Sequence, residues 1–105
     1  MATVKLGSAA LTQELAVADP VIGEVLTASG NQTVFDLAGV ALTALGVGVY
    51  LSGVRLIPLD GSDATNASEV RVDRTGGAGS VTRITFHTDV TLVNGEKALV
   101  DYVKA

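Results

Sequence analysis

His87 is the only histidine in the chain, and Asp89 follows two residues later. On a strand, residues two apart share a face, so imidazole and carboxylate would sit side by side. Such a pair can serve a nucleophile, with histidine as general base and the carboxylate orienting it. No Gly-x-Ser-x-Gly elbow accompanies it. Two polar strand-mates need no catalytic explanation, so the pair reads as a surface pair. Asp60, Asp63, Asn66 and Glu69 bring oxygen ligands of the kind Ca²⁺ prefers to one polar stretch. Their spacing misses the Asp-x-Asp-x-Asp-Gly pattern and Gly61 comes too early, so the stretch reads as a solvated loop. Gly76-Gly77-Ala78-Gly79 lacks the lysine and Ser/Thr of a phosphate loop and reads as a hairpin connection. There is no cysteine, hence no disulfide and no thiolate metal site. Asn31-Gln32-Thr33 and Asn66-Ala67-Ser68 fit the glycosylation pattern. The start, MATVKLGS, is a poor secretory signal, so both read as chance. No catalytic, cofactor-binding or metal-ligating residue is expected. Tyr50, Arg55 and Tyr102 remain, of types that anchor interfaces. They would be either exposed contact residues or braces of the sheet.

The elements that carry these residues follow from hydrophobic patterning. The chain has 105 residues, enough for one domain with one core. Residues 37–54, LAGVALTALGVGVYLSGV, carry no charge. Their length reaches the minimum for a membrane helix, but Gly39, Gly46, Gly48 and Gly53 interrupt them, each costing about 1 kcal/mol of helix propensity. A hairpin sorts the residues better. A turn at Ser52-Gly53 sets Leu51 opposite Val54, Tyr50 opposite Arg55 and Val49 opposite Leu56. Val47, Val49, Leu51, Val54 and Leu56 then share one face, and Tyr50 and Arg55 share the other, within reach of a cation–π contact. The strand is expected to continue to Leu59. A short helix over 37–45, capped by Asp36 and stopped by Gly46, is the other possibility there.

Residues 24–28 and 33–37, flanking Ser29-Gly30-Asn31-Gln32, predict a second hairpin. Glu69–Asp73 alternates, with Val70 and Val72 on one face. Val81–His87 alternates likewise, with Ile84 and Phe86 facing one way and Arg83 and His87 the other. Val90–Val93 and Lys97–Val103, around Asn94-Gly95, predict a last hairpin with a longer loop or bulge at its corner. Short strands with frequent turn signals indicate an antiparallel β-sandwich or jelly-roll-like barrel, spanning 24–105. Residues 1–23 read as an N-terminal arm or added strand. Ala2–Leu6 fits a strand, residues 8–18 fit helix and strand equally, and Asp19-Pro20 ends whichever forms.

Formal net charge is −4 and only 17% of residues are charged, against 48% hydrophobic. No basic footprint exists for phosphates, which argues against a nucleic-acid partner. A chain so poor in charge has surface to hide, by oligomerisation or by docking on a larger body.

The order of motifs adds a resemblance. Ser29-Gly30-Asn31-Gln32-Thr33-Val34-Phe35-Asp36-Leu37 resembles a Gly-rich turn leading into Thr-x-Phe-x-Leu. Val49-Tyr50-Leu51-Ser52-Gly53-Val54-Arg55 resembles a Val-Tyr-Val-Asn-Gly-Val-Arg hairpin, with serine in place of the asparagine. Val81–Phe86 resembles an Ile-Thr-Phe strand, and Gly95–Tyr102 a closing Gly-Asp-x-Val-x-Val-x-Tyr strand. Together, over residues 29–103, they resemble a small β-sandwich module of tailed-bacteriophage virion proteins: fibres, appendages and capsid-decoration proteins. Residues 38–46 stand as an insertion in that pattern. The resemblance implies a structural, non-enzymatic role. A single module fits capsid decoration better than a long fibre. The chain would then bind the major capsid protein and itself, as dimer or trimer, on a virion surface, after synthesis in the bacterial cytoplasm. No cofactor, nucleic acid or membrane would be involved. Burial of a standard interface, about 1,600 Å² at roughly 25 cal/mol per Å², would drive binding. The partner-binding residues would be Val4, Leu6, Leu11 and Leu15 of the arm, with Tyr50, Arg55 and Tyr102 of the sandwich. The competing expectation is a receptor- or glycan-binding module of a tail, fibre or appendage, which would show exposed aromatics in a groove.

Overall fold

The computed structural model describes residues 19–105. Among them there is no helix; eight strands form two four-stranded sheets. The strands are β1 (Pro20–Thr27), β2 (Val34–Asp36), β3 (Gly48–Leu51), β4 (Val54–Arg55), β5 (Ile57–Asp60), β6 (Glu69–Asp73), β7 (Arg83–Phe86) and β8 (Lys97–Val103). Sheet I has the order β1-β8-β3-β4, and sheet II the order β2-β7-β6-β5. The fold is the all-β sandwich that the strand and turn pattern indicates. Its core is aliphatic: Val47, Val49, Ala98 and Val100 of one sheet meet Val70, Val72 and Ile84 of the other, all fully buried. Phe35 and Phe86 close it edge to face, with ring centroids 5.7 Å apart.

The hairpin at Ser52-Gly53 forms in the expected register, Tyr50 opposite Arg55 and Leu51 opposite Val54. Ser52 and Gly53 have φ of 50° and 81°. Positive φ at both central residues makes a turn whose twist matches the flanking strands. The second strand does not run on to Leu59. The Leu56 N–H still donates to Val49 C=O (2.8 Å), but the Ile57 N–H donates to Ser68 C=O in the other sheet. Leu56 is thus a corner buried between sheets, and β5 pairs parallel with β6 rather than extending the hairpin. Beyond the cover of sheet II, Val54 is exposed, contrary to the expected sorting of faces.

Three further expectations are corrected. Residues 24–28 and 33–37 are not a hairpin: β1 pairs with β8, and β2 pairs with β7 in the opposite sheet. Ser29–Asn31 carries the chain across the sandwich, because β8 offers β1 a longer partner than β2 could. Val90–Val93 is not a strand; Leu92 alone bridges, exchanging both hydrogen bonds with Gln32 (2.9 and 3.0 Å). Residues 37–45 are neither helix nor regular strand. Ala41 forms one bridge to Lys104, and its backbone is otherwise held by side chains. The Ala41 N–H donates to Thr82 Oγ1 (2.8 Å) and Arg74 Nε donates to Ala41 C=O (2.9 Å). Together with main-chain bonds to Thr82, Val103 and Ala105, those side chains satisfy the segment without a regular ladder, and Leu37, Ala41, Ala44 and Val47 enter the core. The sandwich also starts earlier than residue 24, since β1 begins at Pro20 and includes a bulge between Val21 and Glu24. Among the described residues no helix is long and apolar enough to cross a membrane.

Candidate interaction surface

Of the residues with catalytic or metal-binding potential, His87, Asp89, Asp63, Asn66 and Glu69 are engaged locally, while Asp60 ends β5 with no side-chain partner among the described residues. His87 Nδ1 accepts the Asp89 backbone N–H (3.1 Å), and the Asp89 carboxylate lies 3.5 Å from the same nitrogen. A His–Asp relay needs Nδ1 to donate to the carboxylate, so this geometry is that of a turn stabilised by its own side chain. In the 60–69 loop, Asp63 is held by Arg71 and Asn66 accepts the Ser68 N–H (2.9 Å). Glu69 accepts both the N–H and the hydroxyl of Thr65 (2.8 and 2.7 Å), which holds its carboxyl below the usual range. The oxygens of Asp63, Asn66 and Glu69 fold the loop instead of converging on a cation. Among the described residues no three His, Cys, Asp or Glu side chains cluster to hold a metal. Gly76–Gly79 lies in the β6–β7 hairpin connection, as its composition suggests.

The two outer faces of the sandwich differ. On sheet II, Arg71 lies between Asp63 and Asp73 (Nε–Oδ2 3.0 Å to the latter), and Arg83 grips Asp36 with Nε and Nη2 (2.8 and 3.3 Å). The hydrogen bond from Arg83, aided by the Ala78 N–H, lowers the pKa of Asp36. This face satisfies its own charges.

On sheet I the register aligns Val25, Leu99, Tyr50 and Arg55 in one row across all four strands. Val25 and Leu99 are 51% and 45% exposed, and Ile22, beside the bulge, is 78% exposed. Gly48 pairs with Asp101 in the next outward-facing row. With no side chain there, Tyr50 and Arg55 lean over it: a Cβ on Gly48 would meet Tyr50 Cε1 at 3.3 Å and Arg55 Nε at 3.4 Å. The result is a hollow of ≈ 230 Å³ bordered by Pro20, Ile22, Tyr50, Arg55, Asp101 and Val103. Asp101 is committed to the Gly23 N–H of the bulge (2.6 Å). Arg55 has no ion-pair partner among the described residues. Leu42 and Leu45, 52% and 62% exposed, continue the apolar surface past Val103.

No family model, curated protein or solved structure matches the chain.

Of the residues expected to meet a partner, Tyr50 and Arg55 stand together on this face. Tyr102 does not. It is 4% exposed, and its hydroxyl donates to Glu24 Oε1 (2.8 Å) while Glu24 Oε2 accepts the Ala38 N–H (2.9 Å). Tyr102 therefore braces the sheet, tying β8 through β1 to the 37–47 segment. Val4, Leu6, Leu11 and Leu15 lie outside the described residues. Sequence reasoning missed Ile22, Val25, Gly48 and Leu99. Glycine inside an alternating strand is a signal of close approach and could have marked Gly48. The others depend on β1–β8–β3 pairing between distant segments.

Proposed function

We propose that the chain is a non-enzymatic virion structural protein: a decoration protein that binds the outer capsid of a tailed bacteriophage as a homo-oligomer and stabilises it. The observation that carries the binding role is the contrast between the faces. Sheet II neutralises its own charges, whereas sheet I presents Ile22, Val25, Leu99 and Tyr50 around Arg55, which has no ion-pair partner among the described residues. Apolar surface around such an arginine fits the centre of a protein interface, where arginine and tyrosine are enriched, with Lys97 at the end of β8 on its rim. The motif order over residues 29–103 supplies the kind of assembly. The glycan-binding alternative is less supported. Tyr50 is the one aromatic ring on the outward side of sheet I, since Tyr102, Phe35 and Phe86 are all buried.

The test is copy number and particle stability. Quantified bands from purified virions should show hundreds of copies, and particles lacking the protein should open at a lower temperature. Leu99→Asp should abolish binding in co-sedimentation with stripped capsids, while a charge reversal on sheet II, Arg83→Glu with Asp36→Arg, should not. A few copies per particle would instead indicate a tail or appendage protein. Unchanged binding by Leu99→Asp would remove sheet I as the contact.

A further inference from the structure

A β-sandwich with open sheets has four edges, and three of them here are guarded. The β4 edge is two residues long before the chain leaves at Leu56. On β5, the Ile57 and Gly61 N–H groups donate to Ser68 and Val72 of the β6 side. By alternation Pro58 faces outward, and it has no N–H to offer. β2 is three residues long; Gln32 Nε2 covers its outward Val34 C=O (2.7 Å) and Glu24 takes the outward Ala38 N–H, which leaves the Val34 N–H and the main chain of Asp36, a charged edge residue tied to Arg83.

The β1 edge is different. The Ala28 N–H donates to Glu96 C=O and Gly95 N–H donates to Ala28 C=O, so Ala28, Leu26 and Glu24 face β8. Val25 and Thr27 then direct their N–H and C=O groups away from the sheet. The bulge at Gly23 interrupts this edge on one side of them and the bonded turn at Ser29-Gly30 on the other. Asp101 takes the Gly23 N–H, Gln32 the Ser29 N–H and Asn94 the Gly30 N–H. What stays open among the described residues is a short window, Val25–Thr27, whose outward side chain Val25 is apolar and exposed.

We propose that this window is a self-association edge, where two copies of the chain join β1 to β1 antiparallel about a two-fold axis through Leu26. The self-complementary spacing of the window argues for a second copy. With Leu26 on the axis, Val25 of each copy lies opposite Thr27 of the other. Each copy then offers two N–H and two C=O groups, and all are met, making four main-chain hydrogen bonds. The bulge and the turn that bound the window exclude a longer regular strand on either side. The two-fold axis makes the contact isologous, so it closes as a dimer rather than growing a filament. The pairing makes sheet I continuous through the dimer, doubling the apolar face that the proposed capsid contact would use. The inference deepens the homo-oligomer part of that reading, yet it is measured without any particle, so each can fail alone.

The experiment is light scattering on the purified full-length chain over a range of concentrations, with amide hydrogen exchange read by NMR. The expected result is a doubled mass, with Val25 and Thr27 amides protected in proportion to dimer and Leu26 protected throughout. Thr27→Pro removes an outward donor at an edge position that tolerates proline. It should raise the dissociation constant about tenfold or more with an unchanged circular dichroism spectrum. If that variant misfolds, Val25→Lys serves: it keeps every donor and sets like charges near each other across the axis. A monomer at all concentrations would overturn the proposal, whether those amides exchange fast or are protected by residues 1–18 of the same chain. So would a dimer that persists undiminished in a folded variant.

Discussion

Tyr102 gives the most quantitative test of the fold. Its ring is buried, and the burial, with the Glu24 carboxylate as hydrogen-bond partner, raises its pKa from 10.0 to about 12. The phenolate is disfavoured in the native state, so the contribution to stability is fully present below the unfolded pKa near 10. It is lost as pH rises through about 12. Two units at about 1.4 kcal/mol each set a ceiling of roughly 2–3 kcal/mol on that loss. Tyr102→Phe removes both the titration and a hydroxyl bonded to a carboxylate, a bond worth about 1.5–3 kcal/mol. Near neutral pH the variant should therefore be less stable by about that amount. Chemical denaturation from about pH 8 to about pH 12 should show the gap narrowing as pH rises, because only the wild type has Tyr102 to ionise. Other ionising groups are common to both proteins and cancel in the difference. In a Tyr50→Phe background, tyrosinate absorbance reports Tyr102 alone and should titrate near pH 12 in the folded protein. A gap that stays constant across the range, or a Tyr102 midpoint near 10, would refute the buried Tyr102–Glu24 brace.

Thr82 is fully buried, accepts the Ala41 N–H and donates to Arg74 C=O (2.7 Å). Thr82→Val keeps the shape but leaves both groups unpaired, and should cost about 2–4 kcal/mol in thermal or urea unfolding. Ser52 holds φ of 50°, where serine is strained and asparagine or glycine is not. Ser52→Asn or Ser52→Gly should stabilise by about 0.5–1 kcal/mol with no change in the hairpin's NMR contacts. Asp36 has a lowered pKa because Arg83 and the Ala78 N–H bond its carboxylate. Its contribution is present above its unfolded pKa and lost as pH falls through the lower folded value. Asp36→Asn should be less stable than wild type at neutral pH, with the difference shrinking on acidification in denaturation curves.

Local periodicity carried much of this fold. The Val47–Arg55 hairpin was legible because its turn and register follow from Ser52-Gly53 and the Tyr50–Arg55 pair, although Val54 is exposed rather than buried. β6 and β7 were legible by alternation: Val70 and Val72, and Ile84 and Phe86, alternate cleanly with charged residues. The misread segments are those whose partners are far away in sequence. β1 sits beside β8, more than seventy residues on, so the nearby turn cluster at Ser29–Gln32 suggested a pairing that the core does not use. The 54–59 stretch alternates well enough for one strand, and nothing local reveals that Leu56 turns it into the other sheet. The oily 37–45 segment has no period because its backbone is held piecemeal, by main-chain bonds with Thr82, Val103 and Ala105 and by the side chains of Thr82, Arg74 and Glu24, rather than by a regular ladder.

The same distinction separates the parts of the candidate surface. Arg55 and Tyr50 could be placed on one face because a single hairpin carries both. Tyr102 could have been withdrawn from it. It alternates with Ala98 and Val100, so period two alone puts it on the apolar side of β8, and a tyrosine there needs a buried acceptor. Thr82 carries the parallel signal, sharing its face with Ile84 and Phe86. A lone hydroxyl on an otherwise apolar strand face implies a backbone group with no other partner, and here that group is Ala41. The surface itself was not legible. It exists only because Val25, Leu99, Tyr50 and Arg55 meet across four strands, and that row is set by β1–β8–β3 pairing. Strand patterning therefore holds a signal for the buried braces and none for the binding face. A core residue answers to its own strand, whereas a docking face is a property of strands that the chain brings together last.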